Sequence, residues 1–490
     1  MLRRVSRSKQ SEQLVSVYFD TKRLKLRRSG LTLRVRHADG RYIQTVKSEN
    51  GGLLERGEWE AEVANGRPDL KKAAAALKPL GLKKLQRQLR PVFETRVQRT
   101  TYPLSRKDSD IELAIDRGEI DAGDNTLPLC EAEFELKEGD RARLFKVARA
   151  FARATSAELA VKSKAERGYE LLAGNDAAAL KGETVEIAPD MQARAAFQSI
   201  ASTCLKQIIA NKPAIVASDP EGIHQMRIGL RRLRAAISLF SDMIMEEQSR
   251  PIKTELKWLT NELGPAREFD VFLNKVVAPL EQQHERLVGM RSLYHDLADQ
   301  REAALARALA AVCSRRFRDL TLNAAAWLEA GDWREPQKTL LRERCEEPIE
   351  VAARVQLTRR WKKIRKRGRR LTKLDAQARH KLRIEVKKLR YATEFYETVF
   401  PGKRLKKRRR AFLSGLKQMQ DCFGDLNDIV MHEKLTTSIG KASPARSAEG
   451  SGRVFAAGLV TGIEEARFKP VLTAAEHAFG AFEKLKPYWR

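Results

Sequence analysis

The sequence predicts a two-domain α+β protein in which an antiparallel β tunnel with flanking helices precedes an all-α domain. Apolar and charged residues alternate with period two from Val15 to about Glu135, as in strands that have one apolar and one charged face. From about Asp190, apolar residues recur at helical spacing, and a histidine-headed basic segment occurs twice. The predicted boundaries are a tunnel domain at 1–172, a linker at 173–189 and a helical domain at 190–490.

The composition is that of a globular and strongly basic protein. Hydrophobic residues make up 42% of the 490 residues, which excludes an intrinsically disordered chain. The formal net charge is +30 at pH 7 and the pI is about 10, and both favour a polyanionic partner. Up to Leu180 the net charge is +10, and the remainder carries +20. The helical domain is therefore the stronger candidate for anion binding.

Cysteine usage and the apolar patterning bear on the compartment. The five cysteines are scattered, with no CxxC or metal-ligand spacing, and are predicted to be reduced thiols of a cytoplasmic protein. The stretch MLRRVSRSKQSEQ is basic, but no apolar core follows it, and no run of about 18 apolar residues occurs. We expect neither a signal peptide nor a membrane partner.

Charged side chains recur on strand after strand of the predicted sheet. In LTLRVR, Arg34 and Arg36 oppose apolar neighbours, and CEAEFEL places three glutamates on one face. Carboxylates in a row suit hard divalent cations such as Mg²⁺ or Mn²⁺, and Arg and Lys suit phosphate oxygens. A closed sheet would bring both sets into one tunnel, which is the equipment of phosphoryl transfer. For any single strand, a solvent-facing sheet remains the alternative.

The histidine-headed basic helix is the clearest feature of the C-terminal part. IHQMRIGLRRLRAAISLF begins at Ile223 and RHKLRIEVKKLRYATEFY begins at Arg379, 156 residues later. Each copy has an apolar seam for helix packing and a basic stripe beside it. For either helix alone, a solvated basic face is the alternative. The two stripes are His224, Arg227, Arg231 and Arg234, and His380, Arg383, Lys387 and Arg390.

A second repeated segment supports a duplication. ELGPAREFDVF follows the first basic helix and CFGDLNDIVMH follows the second, so we expect two related halves that place both stripes around one cleft. Two further basic runs, Arg359–Arg370 and Lys403–Arg410, raise nucleic acid as a competing ligand. A surface that reads bases interleaves aromatic or amide side chains. Trp361 is the only aromatic residue in these two runs, and neither run contains an amide side chain. This composition favours a ligand made of phosphate alone.

Eight short motifs occur in order in the N-terminal domain: VYFDT, GLTLRVR, QTVK, ERGEWEAEV, VFETRV, IELAIDRGEI, LCEAEFELKEG and SKAERGY. Over about residues 12–172, this order resembles the CYTH, or triphosphate tunnel metalloenzyme, family. That family is an eight-stranded antiparallel tunnel that hydrolyses tripolyphosphate or related triphosphates with a divalent metal, Mg or Mn. The resemblance implies phosphate binding by Arg34, Arg36, Lys47, Arg96 and Lys164. It implies metal ligation by Glu131, Glu133 and Glu135, with Asp116 as a further candidate.

The resembled tunnel opens with a strand that bears Glu-x-Glu-x-Lys, and no such motif precedes VYFDT, where Glu12 is the one acidic residue. We therefore expect a tunnel that lacks this strand and hydrolyses tripolyphosphate poorly. The enzyme interpretation is a metal-dependent inorganic triphosphatase. The alternative is a non-catalytic polyphosphate-binding protein with a relic tunnel. A second alternative is a basic protein associated with RNA or ribosomes.

The duplicated histidine helices resemble the CHAD domain over about residues 190–485. That family is a pair of four-helix bundles related by pseudo-symmetry, and it binds inorganic polyphosphate on a basic surface. The resemblance implies that both stripes bind inorganic polyphosphate or tripolyphosphate, with Arg232 and Lys388 as further positions. It also implies a place on polyphosphate granules in the cytoplasm.

Overall fold

The computed structural model of the protein describes residues 9–48, 57–105, 108–174, 178–283, 287–442 and 448–490. These residues form two compact units. The first takes its described residues from Met1–Leu180, Ile209–Ala217 and Arg318–Gly331, and the second from Lys181–Ile208, Ser218–Phe317 and Asp332–Arg490. Within the described ranges, no helix is both long and apolar enough to cross a membrane.

The first unit is built on one antiparallel sheet, which confirms the predicted fold class. The strands are β1 (Gln10–Thr21), β2 (Leu31–Ala38), β3 (Arg41–Ser48), β4 (Glu58–Val63), β5 (Leu89–Pro103), β6 (Ser109–Ala122) and β7 (Asn125–Gly139). Their order is β4-β3-β2-β1-β5-β6-β7, and every neighbouring pair is antiparallel. The described residues thus hold seven strands, where the resembled tunnel has eight.

A tight turn fixes the register of the hairpin that carries the predicted phosphate-binding arginines. Asp39 and Gly40 join β2 to β3, and both have positive φ, 48° and 75°. A two-residue turn of this kind matches the twist of the flanking strands and favours Asp-Gly. The register that follows sets Arg34 opposite Thr45, and Thr32 opposite Lys47.

Five helices accompany the sheet: α1 (Lys25–Arg28), α2 (Ala74–Leu77), α3 (Leu82–Gln88), α4 (Arg141–Thr155) and α5 (Lys164–Leu172). Leu33 and Val46 of the sheet form a buried apolar cluster with Leu77 and Leu85 of the short helices. Leu33 is one of the apolar positions of the predicted period-two pattern in β2. The burial of Leu33 and Val46 leaves the opposite side of β2 and β3 to the charged positions.

Helix α5 begins at a capping box. The side chain of Ser163 accepts a hydrogen bond from the Glu166 backbone N–H, and the Glu166 side chain accepts one from the Ser163 N–H, which satisfies two free N–H groups of the first turn. The ring of Tyr169 packs edge-on against Phe93 of β5, with centroids 5.0 Å apart. Capping and packing together fix the position of Lys164, the first residue of the helix.

From residue 193 onward the chain is helical, which confirms the second predicted fold. The helices are α6 (Ala193–Ala210), α7 (Lys212–Val216), α8 (Pro220–Leu239), α9 (Glu246–Glu262), α10 (Gly264–Phe272), α11 (Ala278–Gln283), α12 (Val288–Cys313), α13 (Arg315–Ala330), α14 (Thr339–Glu346), α15 (Ile349–Gly368), α16 (Ala376–Phe395), α17 (Lys403–Ala442) and α18 (Ala448–Glu483). A π-helical stretch, Leu273–Val277, joins α10 to α11.

The helical part repeats its own design. The segments α6, α8, α9–α11 and α12 recur in the same order as α15, α16, α17 and α18. The two histidine helices, α8 and α16, each have 20 residues, and each begins after an aspartate, Asp219 or Asp375, whose side chain accepts a hydrogen bond from the first turn. Such caps typically contribute about 1 kcal/mol. Both copies therefore have an aspartate N-cap as well as the basic stripe.

Residues at equivalent positions of the two copies meet each other. Gln192 and Pro348 form a β-bridge, and the rings of Phe240 and Tyr396 lie 6.3 Å apart. In the second repeated segment, the rings of Phe272 and His432 stack with their centroids 4.3 Å apart. A residue touches its own counterpart when two halves are related by a two-fold axis. The helical unit is therefore pseudo-symmetric around these contacts.

Candidate functional site

Three carboxylates converge on the sheet of the first unit. Asp116 of β6 lies opposite Glu131 of β7, and Glu133 follows two residues later on the same face. One oxygen of each carboxylate lies within 4.8 Å of the others. We call these three residues the carboxylate cluster. Asp116 is completely buried, whereas the Glu133 side chain is 48% exposed, so the cluster opens to solvent on one side.

Three cations of the same unit neutralise the carboxylate cluster. Arg99 forms a two-point ion pair with Asp116, its Nε 2.7 Å from Oδ1 and its Nη2 2.8 Å from Oδ2. Lys164, at the start of α5, directs its Nζ to all three carboxylates and lies 2.8 Å from two of them. Arg167, later in the same helix, pairs with Glu131. Three positive charges therefore balance three negative charges.

These ion pairs shift the pKa values in the directions that pairing demands. Burial alone would raise the pKa of Glu133, but the charges of Lys164 and Arg99 outweigh it and lower that pKa to about 2. Burial alone would lower the pKa of Lys164, and the surrounding carboxylates raise it instead. The hydrogen bond to Asp116 raises the pKa of Arg99. All of these groups are thus held in their charged forms.

Two further guanidinium groups face the carboxylate cluster from β2. Arg36 donates from its Nε to the Ser16 hydroxyl at 3.2 Å. Burial, followed by the charges of Arg34 and Arg99, lowers the pKa of Arg36 to about 10. The Nε of Arg34 is buried, and no described residue accepts a hydrogen bond from it. Arg34 and Arg36 therefore bring positive charge that the carboxylate cluster does not neutralise, and phosphate oxygens are suited to accept their hydrogen bonds.

Two other predicted residues of the sheet form ion pairs outside the carboxylate cluster. Lys47 pairs with Glu58 of β4 at 2.9 Å. Glu135 is exposed and pairs with Lys137 at 2.8 Å, outside the carboxylate cluster. Neither position carries a contact that would test its predicted role.

Arg96 lies on the face opposite Arg99, because the two residues are three positions apart on β5 and strand faces alternate. Arg96 is 53% exposed, and its Nε lies 2.6 Å from Glu94. The family resemblance implied Arg96 and did not point to Arg99, which shares its face with the apolar Phe93 and Val97. That face is apolar at Phe93 and Val97 and charged at Arg99. Phe93 and Val97 belong to the buried apolar cluster with residues of α5, and Arg99 reaches the carboxylates.

The donor set of the carboxylate cluster fits a hard divalent cation. All of its ligand atoms are carboxylate oxygens, the type that Mg²⁺ and Mn²⁺ prefer, and they already converge within 4.8 Å. The predicted ligands Glu131 and Glu133 belong to this group, together with Asp116, the further candidate. An ion at this position would compete with Lys164 for the same oxygens.

The second candidate site lies where α8 and α16 pack against each other in the helical unit. Four half-buried cations meet there, and we call them the cation cluster. The Nε atoms of Arg231 and Arg383 are buried and have no hydrogen-bond partner among the described residues, and Arg227 donates to the Thr260 carbonyl at 3.3 Å. Among the described residues, no member forms an ion pair. The members are Arg227 and Arg231 of α8, and Arg383 and Lys387 of α16.

The pKa values of Arg227, Arg383 and Lys387 are lowered, whereas those of Lys164 and Arg99 at the carboxylate cluster are raised. Burial, followed by the charge of Arg231, lowers the pKa of Arg227 to about 10. Burial, followed by Arg383 and Arg231, lowers the pKa of Lys387 to about 7. Two carboxylates at equivalent positions of the second repeated segment, Glu268 and Asp428, act to raise these pKa values. They do not offset the effect of burial and like charge.

The remaining stripe residues lie at the edges of the cation cluster. Burial, and next the charge of Arg267, lowers the pKa of the half-buried His224. His380 is exposed, with its Nδ1 3.0 Å from the Asn427 side-chain oxygen. Arg390 pairs with Glu394 at 3.5 Å. Arg234 is exposed.

Arg232 and Lys388, the two further positions, differ from the stripes. Arg232 is buried, and its guanidinium donates to Gln207 at 3.3 Å and to the Glu183 carbonyl at 3.2 Å. It therefore packs the helices and does not face the cation cluster. Lys388 lies 3.9 Å from Glu385, one turn away on the same helix, and its charge is partly neutralised there.

The first unit is thus an antiparallel sheet with a mixed arginine and carboxylate site, and the second is a pseudo-symmetric helical unit with an unpaired cation cluster. Comparison with known families agrees with both descriptions. Residues 6–169 match the CYTH domain and residues 199–436 match the CHAD domain. The chain carries a CYTH domain followed by a CHAD domain, and the resemblance predicted from the sequence is confirmed.

Individual proteins resemble each part. Over 161 residues, the chain is 30% identical to the inorganic triphosphatase of Haemophilus influenzae, an alignment that covers 32% of this chain and 46% of that protein. The chain thus spans about half the length of this curated relative. The crystal structure of the CHAD domain from the plant Ricinus communis is similar with a TM-score of 0.52 and 27% identity, covering 62% of this chain and 97% of that one.

Proposed function

We propose that the protein binds inorganic polyphosphate at the cation cluster of its helical unit. The observation that carries this proposal is the convergence of four cations from two helices with no ion-pair partner among the described residues. Half-buried positive charges that are close together destabilise one another unless an anion binds between them. A flexible chain of phosphates supplies such charge at short, regular intervals.

A ligand made of phosphate alone suits this surface better than RNA. Single-stranded nucleic acid is bound by exposed aromatic rings that stack with bases. Tyr391, beside Arg390, is 4% exposed, and Trp361 in the basic run of α15 is 7% exposed. Neither ring is free to stack. Base stacking is therefore not available at these two positions. The experiment compares polyphosphate with RNA, the competing ligand.

As a second function, we propose triphosphatase-type hydrolysis at the sheet. The alignment with a triphosphatase supports it, as does the carboxylate cluster beside Arg34 and Arg36, which form no ion pair with any described residue. Arg34, Arg36 and Arg99 would bind and neutralise the phosphate oxygens of tripolyphosphate. Lys164 would turn from the carboxylates to a phosphate.

When bound by the carboxylate cluster, a divalent ion would polarise a phosphoryl oxygen and lower the pKa of a bound water. Release of phosphate from tripolyphosphate that depends on added Mg²⁺ or Mn²⁺ would support this function. Equal release with and without metal, or none, would leave the protein with polyphosphate binding alone.

The polyphosphate proposal is tested by reversing the charge of the cation cluster in the full chain. The quadruple change of Arg227, Arg231, Arg383 and Lys387 to Glu is expected to weaken binding of long-chain polyphosphate at least 100-fold, because attraction becomes repulsion. Fluorescence anisotropy measures the affinity, and circular dichroism checks the helix content. If the Glu variant does not fold, the same four changes to Gln serve instead.

A matched control carries the same charge change elsewhere. Four exposed cations that form no ion pair with any described residue are changed to Glu: Lys362, Lys366 and Arg367 of α15, and Arg370 just after it. Here the loss should stay below about tenfold, the effect of the general field. Comparable losses in both variants would contradict a specific site. So would RNA of equal charge outcompeting polyphosphate on the wild-type protein.

A further inference from the structure

Lys387 differs from the other members of the cation cluster in its chemistry. A guanidinium keeps its proton at any ordinary pH, whereas an ammonium releases its proton when it is buried beside like charges. Lys387 is half-buried and makes no ion pair to any described residue. It is therefore the one member of the cluster that can relieve the repulsion by losing its charge.

The charged groups around Lys387 come from three helices. Arg231 faces it from α8, Asp428 from α17, and Arg383 and Arg390 from its own helix. Two more groups lie next to this set, because Arg227 of α8 and Glu268 of α10 act on the same guanidinium groups. Positive charges outnumber negative charges among these neighbours. A neutral Lys387 is therefore the expected state of the empty cluster above neutral pH.

We infer that polyphosphate binding at the cation cluster is coupled to the uptake of one proton by Lys387. This inference rests on the proposed function and adds a regulation to it. Phosphates bound between the helices place negative charge beside the amine and favour its ammonium form. The internal phosphates of a long chain are already fully ionised at neutral pH, so they supply no proton. The proton comes from the solvent.

The sign of the pH dependence follows from linkage. The folded-state pKa of Lys387 is about 7, against a usual value of 10.5. Below pH 7 the free protein already carries the proton, and above pH 7 binding must take it up. At pH 8 about one tenth of the free protein is protonated, and at pH 6 about nine tenths is. Binding should therefore be up to about tenfold weaker at pH 8 than at pH 6.

This origin of the pH dependence differs from the one that the histidines suggest. Histidine is the residue type whose ordinary pKa lies closest to neutrality, and one histidine heads each stripe. In the structure, His380 is exposed at the end of its stripe, and burial beside Arg267 lowers the pKa of His224, away from neutral pH. Lys387 lies among the arginines themselves.

Isothermal titration calorimetry of the full chain with long-chain polyphosphate tests the inference. At pH 8 and fixed ionic strength, titrations in two buffers of different ionisation enthalpy give the number of protons taken up. Wild-type protein is expected to take up close to one proton at pH 8 and clearly fewer at pH 6. The Lys387→Arg variant, which keeps its charge, should take up at least half a proton less at pH 8 and should bind there at least as tightly as wild type.

The variant isolates Lys387, because the histidines and the terminal phosphates contribute equally to both titrations. Lys366→Arg, at an exposed position of α15, is the matched control and should take up as many protons as wild type. Equal uptake by Lys387→Arg and wild type overturns the inference while the proposed function stands. Failure of wild type to bind polyphosphate at either pH overturns both. If Lys387→Arg does not fold, equal affinity of the wild type at pH 6 and pH 8 overturns the inference.

Discussion

The carboxylate cluster and the cation cluster use the same basic residue types and place them in opposite electrostatic states. In the first, Lys164 lies among three carboxylates and its pKa is raised. In the second, Lys387 lies among arginines and its pKa is lowered to about 7. Both amines are largely removed from water. The difference therefore comes from their neighbours and not from burial.

This difference determines how each site would bind its proposed phosphate ligand. The sheet keeps its charges balanced internally, so an incoming metal or triphosphate must exchange partners with Lys164 and Arg99. The helical unit keeps its charges unbalanced, so an incoming polyanion finds donors without partners. Exchange costs part of the binding free energy, whereas filling an unpaired site does not. The first arrangement favours selectivity, and the second favours affinity.

The largest effect should come from breaking the internal balance of the sheet. Asp116→Ala removes the fully buried member of the carboxylate cluster and leaves Arg99 and Lys164 with fewer partners. Removing one partner of a buried ion pair typically costs about 3–5 kcal/mol. Denaturant unfolding of the full chain, followed by signals from the sheet, should show this loss. Glu135→Ala, at an exposed pair, is the control and should cost about 0–1 kcal/mol. Similar costs for the two variants would mean that the cluster is not tightly paired.

An intermediate effect is expected for the competition between Lys164 and a metal. Lys164→Met removes the ammonium from the carboxylates, so Mn²⁺ should bind roughly tenfold more tightly without triphosphate present, which corresponds to about 1.4 kcal/mol. Electron paramagnetic resonance of free Mn²⁺ measures the affinity directly. Lys162→Met, which removes the partner of Glu170 and leaves the cluster intact, is the matched control. Unchanged or weaker Mn²⁺ binding by Lys164→Met would show that the lysine does not share the metal position.

The smallest effect is expected for Arg96→Ala, with Arg99→Ala as the comparison on the other face of β5. Arg96→Ala removes an exposed ion pair from the opposite face, so tripolyphosphate hydrolysis should change less than about twofold. Arg99→Ala should reduce it by more than tenfold, since it removes a cation from the candidate site. Rates with Mg²⁺ or Mn²⁺ for the two variants decide between the two faces. A larger loss for Arg96→Ala than for Arg99→Ala would support the predicted phosphate role of Arg96.

Several features could be predicted from the sequence because they depend on local periodicity. The strands and the charged faces that carry Arg34, Arg36, Glu131 and Glu133 follow from alternation along each strand, while the roles of these residues come from the family resemblance. The two histidine helices follow from their spacing. Arg99 could not be found in this way, because the apolar half of its face is covered by α5, which lies elsewhere in the sequence. Whether a basic residue is paired also depends on distant segments. Lys164 and Lys387 look alike in the sequence and differ only through tertiary neighbours.

The contacts between equivalent residues across the two-fold axis have a consequence for the number of titrating groups. If a half-length chain paired with a second copy of itself, every position near the axis would occur twice with the same side chain. One covalent chain removes that restriction. Arg231 and Lys387 occupy equivalent positions, 156 residues apart, and hold different side chains. The fused architecture can therefore carry a single ionisable amine, where an identical pair would carry two or none.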